Sequence, residues 1–203
     1  MTEPRTRPPA EASGPGSGAA AYGPLRDDAI ARLREWQAPD PGQEHLRRAF
    51  LTHLAHHADA MARSGPPAHL TGSVLVLDTS GDHVLLTLHQ KAGRWFQFGG
   101  HFEPGDLTMR HGAVREAREE SGIAELVTLP EIIQLDRHSL GDGFGRCREH
   151  LDVRYAAVAA DDAVHTVSPE SLDVRWWPAD ALPAETRDEL QPLVRAAHEV
   201  IRR

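Results

Sequence analysis

The stretch from Gly99 to Ile123, GGHFEPGDLTMRHGAVREAREESGI, constrains the fold of this chain more than any other: a glycine-bearing loop runs straight into a helix dense in glutamate. Gly99, Gly100 and Gly105, with Pro104, give a loop that can bring bare backbone close to a ligand. On the helix that follows, residues three and four apart share a face, so Glu116, Glu119 and Glu120 are expected to project toward one point. Three such carboxylates suit a hard divalent cation. Magnesium takes oxygen ligands, draws only a few from protein, and completes its shell with waters and substrate phosphates. The run REAREE by itself would be read as a solvated helix face, because Arg115 and Glu119 are four apart, as are Glu116 and Glu120. The loop before it and the Ser121-Gly122 stop after it favour a strand-loop-helix unit instead.

These residues resemble the Nudix hydrolase signature, G-x5-E-x7-R-E-U-x-E-E-x-G-U, with U aliphatic. Gly100 matches the first glycine, Arg115-Glu116 the Arg-Glu pair, Ala117 the first aliphatic position, Glu119-Glu120 the paired acids and Gly122-Ile123 the end. Two departures stand out. Asp106 occupies the place of the first Glu, and eight residues rather than seven separate it from Arg115. On a continuous helix one extra residue turns Asp106 by about 100° relative to the glutamates, so the insertion is expected to be absorbed in the loop or as a bulge near Gly112. The resemblance implies magnesium, with manganese as a substitute, held by Glu116, Glu119, Glu120 and the Gly99 carbonyl. It also implies a catalytic set of Glu116, Glu119, Glu120, Arg115 and Asp152, with Arg115 pairing Glu119 rather than ligating. The proton acceptor stays open among Glu120, Asp152, His150 and Glu149.

Composition narrows the class. With 203 residues, 40% hydrophobic and 26% charged, the chain suits one well-buried domain with a modest extension. No apolar run is long enough to span a bilayer, and the N-terminus lacks a signal-peptide pattern, so a cytoplasmic location is expected. Cys147 is the only cysteine, which rules out an intrachain disulfide. A net charge of -8 disfavours binding to a nucleic-acid backbone, whereas an anionic small molecule stays acceptable where a metal screens it.

Residues 1–24 are rich in Pro, Gly, Ala and Ser and read as a disordered tail. Residues 25–66 read as a helical extension, with one helix over Leu25–Trp36 and a second over about Gln43–Met61 striped by Leu46, Phe50, Leu54, Ala58 and Met61. This extension either caps a substrate pocket or builds a homodimer surface. His53 and His57, four apart, have zinc-ligand spacing, but no third ligand follows at motif spacing, so they read as polar side chains beside the stripe.

The remaining residues, 67–203, read as the resembling domain. Strands are expected over Ser73–Asp78, His83–His89, Arg94–Phe98, Glu131–Asp136, His150–Ala156 and Asp173–Pro178, with a flexible loop over Ser139–Arg148 and a closing helix through Leu193, Ala197, Val200 and Ile201. Alternation puts His150, Asp152 and Arg154 on one strand face, either solvated or functional. Trp95 reads as either a base-stacking or a core residue. Strands alternating with two core helices suggest an α/β/α sandwich around a mixed sheet. Similar His-x-Asp-x-Arg strands and similar approaches to the signature loop occur in a bacterial-type Nudix branch, a likeness that implies Arg94, His101, His150 and Arg154 as substrate-binding residues.

The expected activity is hydrolysis of a diphosphate linkage in a nucleoside diphosphate joined to another group. A sensing or interaction module that keeps the fold without catalysis is the alternative. An isoprenyl diphosphate isomerase is a third class, but nothing around Cys147 resembles the cysteine motif of those enzymes.

Overall fold

The computed structural model describes residues 19–141, 145–184, 186, 188 and 190–202. Most of the expected N-terminal tail, residues 1–18, and positions 142–144 of the expected loop lie outside them. Two helices come first, α1 over Gly23–Glu35 and α2 over Pro41–His56. Asp40 is the N-cap of α2: its carboxylate accepts the Gln43 amide at 2.9 Å, with Pro41 in the first turn. The expected run of α2 to Met61 is corrected here. The helix ends at His56, and Met61 reaches full burial from the irregular turn that follows, where the Ala60 carbonyl accepts the Leu70 amide at 2.8 Å.

Eight strands then form one sheet: β1 Ala68–Leu77, β2 His83–His89, β3 Arg94–Phe96, β4 Phe98–His101, β5 Leu126–Thr128, β6 Gln134–Ser139, β7 Glu149–Ala159 and β8 Ser171–Pro178. Helix α3, Met109–Ser121, follows β4, and α4, Leu190–Ile201, closes the described chain. The sheet is mixed, as expected. β1 runs parallel to β7 along its whole length, from Ala68 opposite Glu149 to Leu77 opposite Val158, and every other pairing is antiparallel. The single strand expected over Arg94–Phe98 is two, because Arg94–Phe96 pairs with β2 while Phe98–His101 crosses to pair with β1. β1 starts five residues earlier than its apolar run suggested, at Ala68, because the polar His69, Thr71 and Ser73 are themselves paired and buried.

Period-two alternation along β1 divides the core. Leu70, Val74 and Val76 turn to one face, where α1, α2 and α3 supply Leu25, Leu33, Phe50, Leu54, Met109, Ala113 and Ala117. Leu75 and Leu77 turn to the other, against Leu190, Leu193, Val194 and Ala197 of α4. That second face is covered only over its apolar half. Its other half carries His69, Thr71 and Ser73 on β1 and, by register, His150, Asp152 and Arg154 on β7. The solvated reading of the β7 face is therefore wrong: the strand lies inside the sheet, and Asp152 and Arg154 are 3% and 2% exposed.

The helical extension is integral to the main core. Asp28 of α1 accepts the Met109 amide at 2.9 Å and so caps the first turn of α3, while Tyr22 donates to the Phe102 carbonyl at 3.2 Å. From α2, the Gln43 side-chain amide exchanges two hydrogen bonds with the Leu135 backbone, at 2.7 and 3.0 Å, standing in for a further strand beside β6. The apolar stripes of both helices face inward.

Candidate active site

Helix α3 starts only after the inserted residue. Thr108 is its N-cap and accepts the His111 amide at 3.0 Å, and the helix passes through Gly112 without a break, the Gly112 amide reaching the Thr108 carbonyl at 3.1 Å. The eight-residue spacing is thus absorbed in the loop. Gly122 ends the helix in the left-handed conformation, φ 72°, as a C-terminal stop should.

Asp106, left in the loop, is buried and turned back onto the helix. It accepts Arg115 Nε at 3.1 Å, Arg115 Nη2 at 3.0 Å and the Glu103 amide at 2.8 Å. Burial pushes the Asp106 carboxyl up, but its bonds to Arg115 and the Glu103 amide outweigh this and hold it below the ordinary value. Arg115 also donates to the His101 carbonyl and, through Nη1, to Glu116 at 3.1 Å and Glu119 at 3.2 Å. The pairing with Glu119 expected from sequence is present, yet the main partner of Arg115 is Asp106. Gly112 is a glycine because a Cβ there would lie 2.6 Å from Phe102 and 2.7 Å from the Asp106 carboxylate.

The glutamates sit against the paired glycines of β4. Glu120 accepts the Gly99 amide at 3.1 Å, and a Cβ at Gly100 would lie 2.8 Å from the Glu116 carboxylate, so only glycine leaves that carboxylate its place. Glu119 stands apart, its side chain 60% exposed and turned to Arg115. Two carboxylates thus flank the glycines, and the third, more exposed, meets Glu116 at Arg115 Nη1, from which both accept. Burial raises Glu120 to about 8, and burial together with Glu119 and Glu103 raises Glu116, after the opposing pull of Arg115. Carboxylate oxygens of this kind fit a divalent cation.

Glu120 opens onto a cleft of about 450 Å³ lined by Gly99, Gly100, Arg94, Phe96, His150, Asp152 and Arg154, among others. Asp152 forms its floor with both oxygens engaged, accepting from Thr71 at 3.0 Å, Ser73 at 2.6 Å, Arg154 at 3.1 Å and Gln97 at 3.4 Å. Arg154 continues to Gln134 at 2.8 Å and Asp136 at 2.9 Å. Trp95 is in the core, edge-on to Trp177. Neither His101 nor Cys147 lines the cleft, and no residue of the helical extension does.

His101 instead joins a group that sequence reasoning missed. His69, His101 and His150 pack ring to ring, with Cys147 buried beside them. Burial and their mutual proximity lower His101 to about 3 and His150 to about 4, and burial lowers His69 as well. The signal was weak, because the four residues are spread over 82 positions and only the strand register brings them together.

The mixed sheet and this loop-helix unit are the features by which comparison assigns the chain to a family. A NUDIX domain model matches residues 67–197, and the chain belongs to the Nudix family. Among solved structures, a Nudix-family hydrolase from Clostridium perfringens superposes with a TM-score of 0.54 at 23% identity, over 65% of this chain and 97% of that one. A C. elegans Ap4A hydrolase matches with a TM-score of 0.54 at 16% identity, over 66% and 97%. The NUDIX domain of Shewanella oneidensis NrtR, solved with ADP ribose, matches with a TM-score of 0.50 at 20% identity, over 65% and 87%. No curated protein sequence matches the chain. No helix among the described residues is long and apolar enough to cross a membrane.

Proposed function

We propose that this Nudix chain is a magnesium-dependent, cytoplasmic hydrolase that cleaves a diphosphate linkage in a nucleoside diphosphate joined to another group. The observation that carries this reading is the pair Glu116 and Glu120, held against Gly99 and Gly100, with Glu120 opening onto a cleft that Arg94, His150, Asp152 and Arg154 also line. Glu116, Glu119, Glu120 and the Gly99 carbonyl would hold the ion, which when bound neutralises charge on diphosphate oxygens. The Gly99 amide fixes the Glu120 rotamer, and Arg115, locked by Asp106, orients Glu116 and Glu119. Arg94, exposed at the cleft rim, is placed to meet an anionic substrate. Glu120 is the proton acceptor we favour, since both oxygens of Asp152 already hold the cleft floor. In this reading Asp152, with Arg154 and His150, positions substrate.

The test is a panel of nucleoside diphosphate compounds incubated with magnesium or manganese, with products separated and identified. A nucleoside monophosphate plus the partner phosphate ester is expected, abolished by chelator and restored by either metal. Binding of a panel compound without turnover would replace the enzyme by a sensing module, and a shifted double bond in an isoprenyl diphosphate would replace it by an isomerase. Nucleic acid is not an expected partner, given the net charge of -8.

A further inference from the structure

We propose that His69, His101, His150 and Cys147 form a second metal site, a closed four-ligand zinc site separate from the glutamates of α3. Strand register builds it. His69 on β1 stands opposite His150 on the parallel β7, and His101 on β4 stands opposite Thr71, two residues along from His69 on the same face. Three imidazoles therefore meet at one end of one sheet face. Cys147 is brought to them by the chain just ahead of β7, whose Arg148 and Glu149 amides both bond the Pro67 carbonyl, at 2.9 and 3.3 Å.

Each imidazole has a buried Nε2 without a hydrogen-bond partner. Three orphaned nitrogens in one place are costly unless something binds them all, since a buried polar atom normally finds a partner. His69 is completely buried, and its Nδ1 faces the Pro66 carbonyl at 3.1 Å. That contact puts the proton on Nδ1 and leaves the Nε2 lone pair for a metal, the orienting device common to ligating histidines. His138, also close to His150, is engaged instead with Asp136 at 2.7 Å.

The spacing fits one ion. The ring centroids are 5.0, 5.3 and 5.1 Å apart, and the rings are tilted or edge-on rather than stacked. With Zn–N of about 2.0–2.1 Å and about 1.1 Å more from nitrogen to ring centre, three imidazoles on a tetrahedral zinc have centroids about 5.2 Å apart. The four candidate ligand atoms all lie within 4.8 Å of one another, whereas bound zinc needs edges of about 3.4–3.6 Å, so closure requires each atom to move inward by about 1 Å or less. A thiolate with three imidazoles selects a borderline metal such as zinc over magnesium, and four protein ligands leave no open position, the pattern of a structural site. His150 also lines the cleft, so the ion would pin the starts of β1 and β7 and the end of β4 directly beneath the substrate.

The test reads metal rather than turnover, so its failure and that of the hydrolase reading are independent. Untagged full-length protein from zinc-supplemented growth, dialysed against magnesium, should retain about one zinc per chain by elemental analysis. Protein reconstituted with Co²⁺ should show a thiolate charge-transfer band and the d–d bands of tetrahedral cobalt. Cys147→Ser should abolish the charge-transfer band, His69→Ala should lower retained zinc at least 10-fold, and His56→Ala, on the exposed face of α2, should keep it. Removal of zinc should lower the parent's melting temperature. Less than 0.1 zinc per parent chain, or equal zinc in the Cys147→Ser and His69→Ala proteins and the parent, would overturn the proposal without needing any variant to be active.

Discussion

Single residues carry opposite burdens in the two halves of the signature. Glu120 is half-buried beside the β4 glycines, and its folded pKa of about 8 lies above the value near 4.5 of the unfolded chain. A raised folded pKa means that the stability contribution of the group is complete below its unfolded pKa and is lost as pH rises through its folded pKa. In chelator, therefore, melting temperature should fall between about pH 4.5 and 8, and Glu120→Gln should flatten that fall and melt no lower than the parent at pH 8. Magnesium must displace the same proton, so its affinity should rise over this window in the parent and not in the variant. Turnover of Glu120→Gln should drop by about 10²-fold or more. A variant melting well below the parent at pH 8 in chelator would show Glu120 to be a structural anchor. Asp106 should behave in the reverse way. Asp106→Ala strips the half-buried Arg115 of its main partner and should cost about 2 kcal/mol, read as a lower denaturant midpoint at unchanged slope.

At the level of elements, Gly100 and Gly112 separate site from scaffold. Helix propensity alone says that Gly112→Ala should stabilise α3 by about 1 kcal/mol. The clash with Phe102 and Asp106 says the reverse, and we expect a net loss of about 1–3 kcal/mol in chemical denaturation. A stabilised Gly112→Ala protein would mean that the loop before α3 yields easily. Gly100→Ala meets only the flexible end of Glu116, so it should leave stability nearly unchanged while weakening magnesium binding at least 10-fold by calorimetry. These contrasts also explain what the sequence could reveal. The glutamate spacing, the Gly122 stop, α1, β2 and α4 are local patterns of period, cap and turn, and they were legible. Asp106 was legible as a departure, but its partnership with Arg115 depends on how a loop folds back, which spacing alone does not determine. His150, Asp152 and Arg154 could be read as solvated or functional, because alternation marks a face without saying what covers it. His69 and Cys147 carried no local signal, since parallel pairing of β1 with β7 is a long-range event.

Across the whole molecule, the open question is whether residues 19–66 are an appendage to the family domain or part of its core, since the family match begins at residue 67. The packing favours the second. Leu25, Leu33, Phe50 and Leu54 are each 0–1% exposed and share one cluster with Leu70, Leu135, Leu151, Val153 and Tyr155 of the sheet. At roughly 2 kcal/mol for each buried side chain, the four contribute about as much as the entire 5–15 kcal/mol by which a domain is stable. The α1 carboxylate at the first turn of α3 adds about 1 kcal/mol and ties the extension to the helix that bears the glutamates. Removing residues 1–66 should therefore uncover the apolar face beneath α1 and α2, and the 67–203 fragment should aggregate, or bind a hydrophobic dye and unfold without cooperativity. Asp28→Ala in the full chain should be milder, lowering stability by about 1 kcal/mol with the cooperative transition kept. The decisive measurement is thermal unfolding of the fragment beside the full chain, followed by near-ultraviolet circular dichroism. A soluble fragment with a sharp transition near the parental melting temperature would return the extension to the role of a separable dimer or capping element.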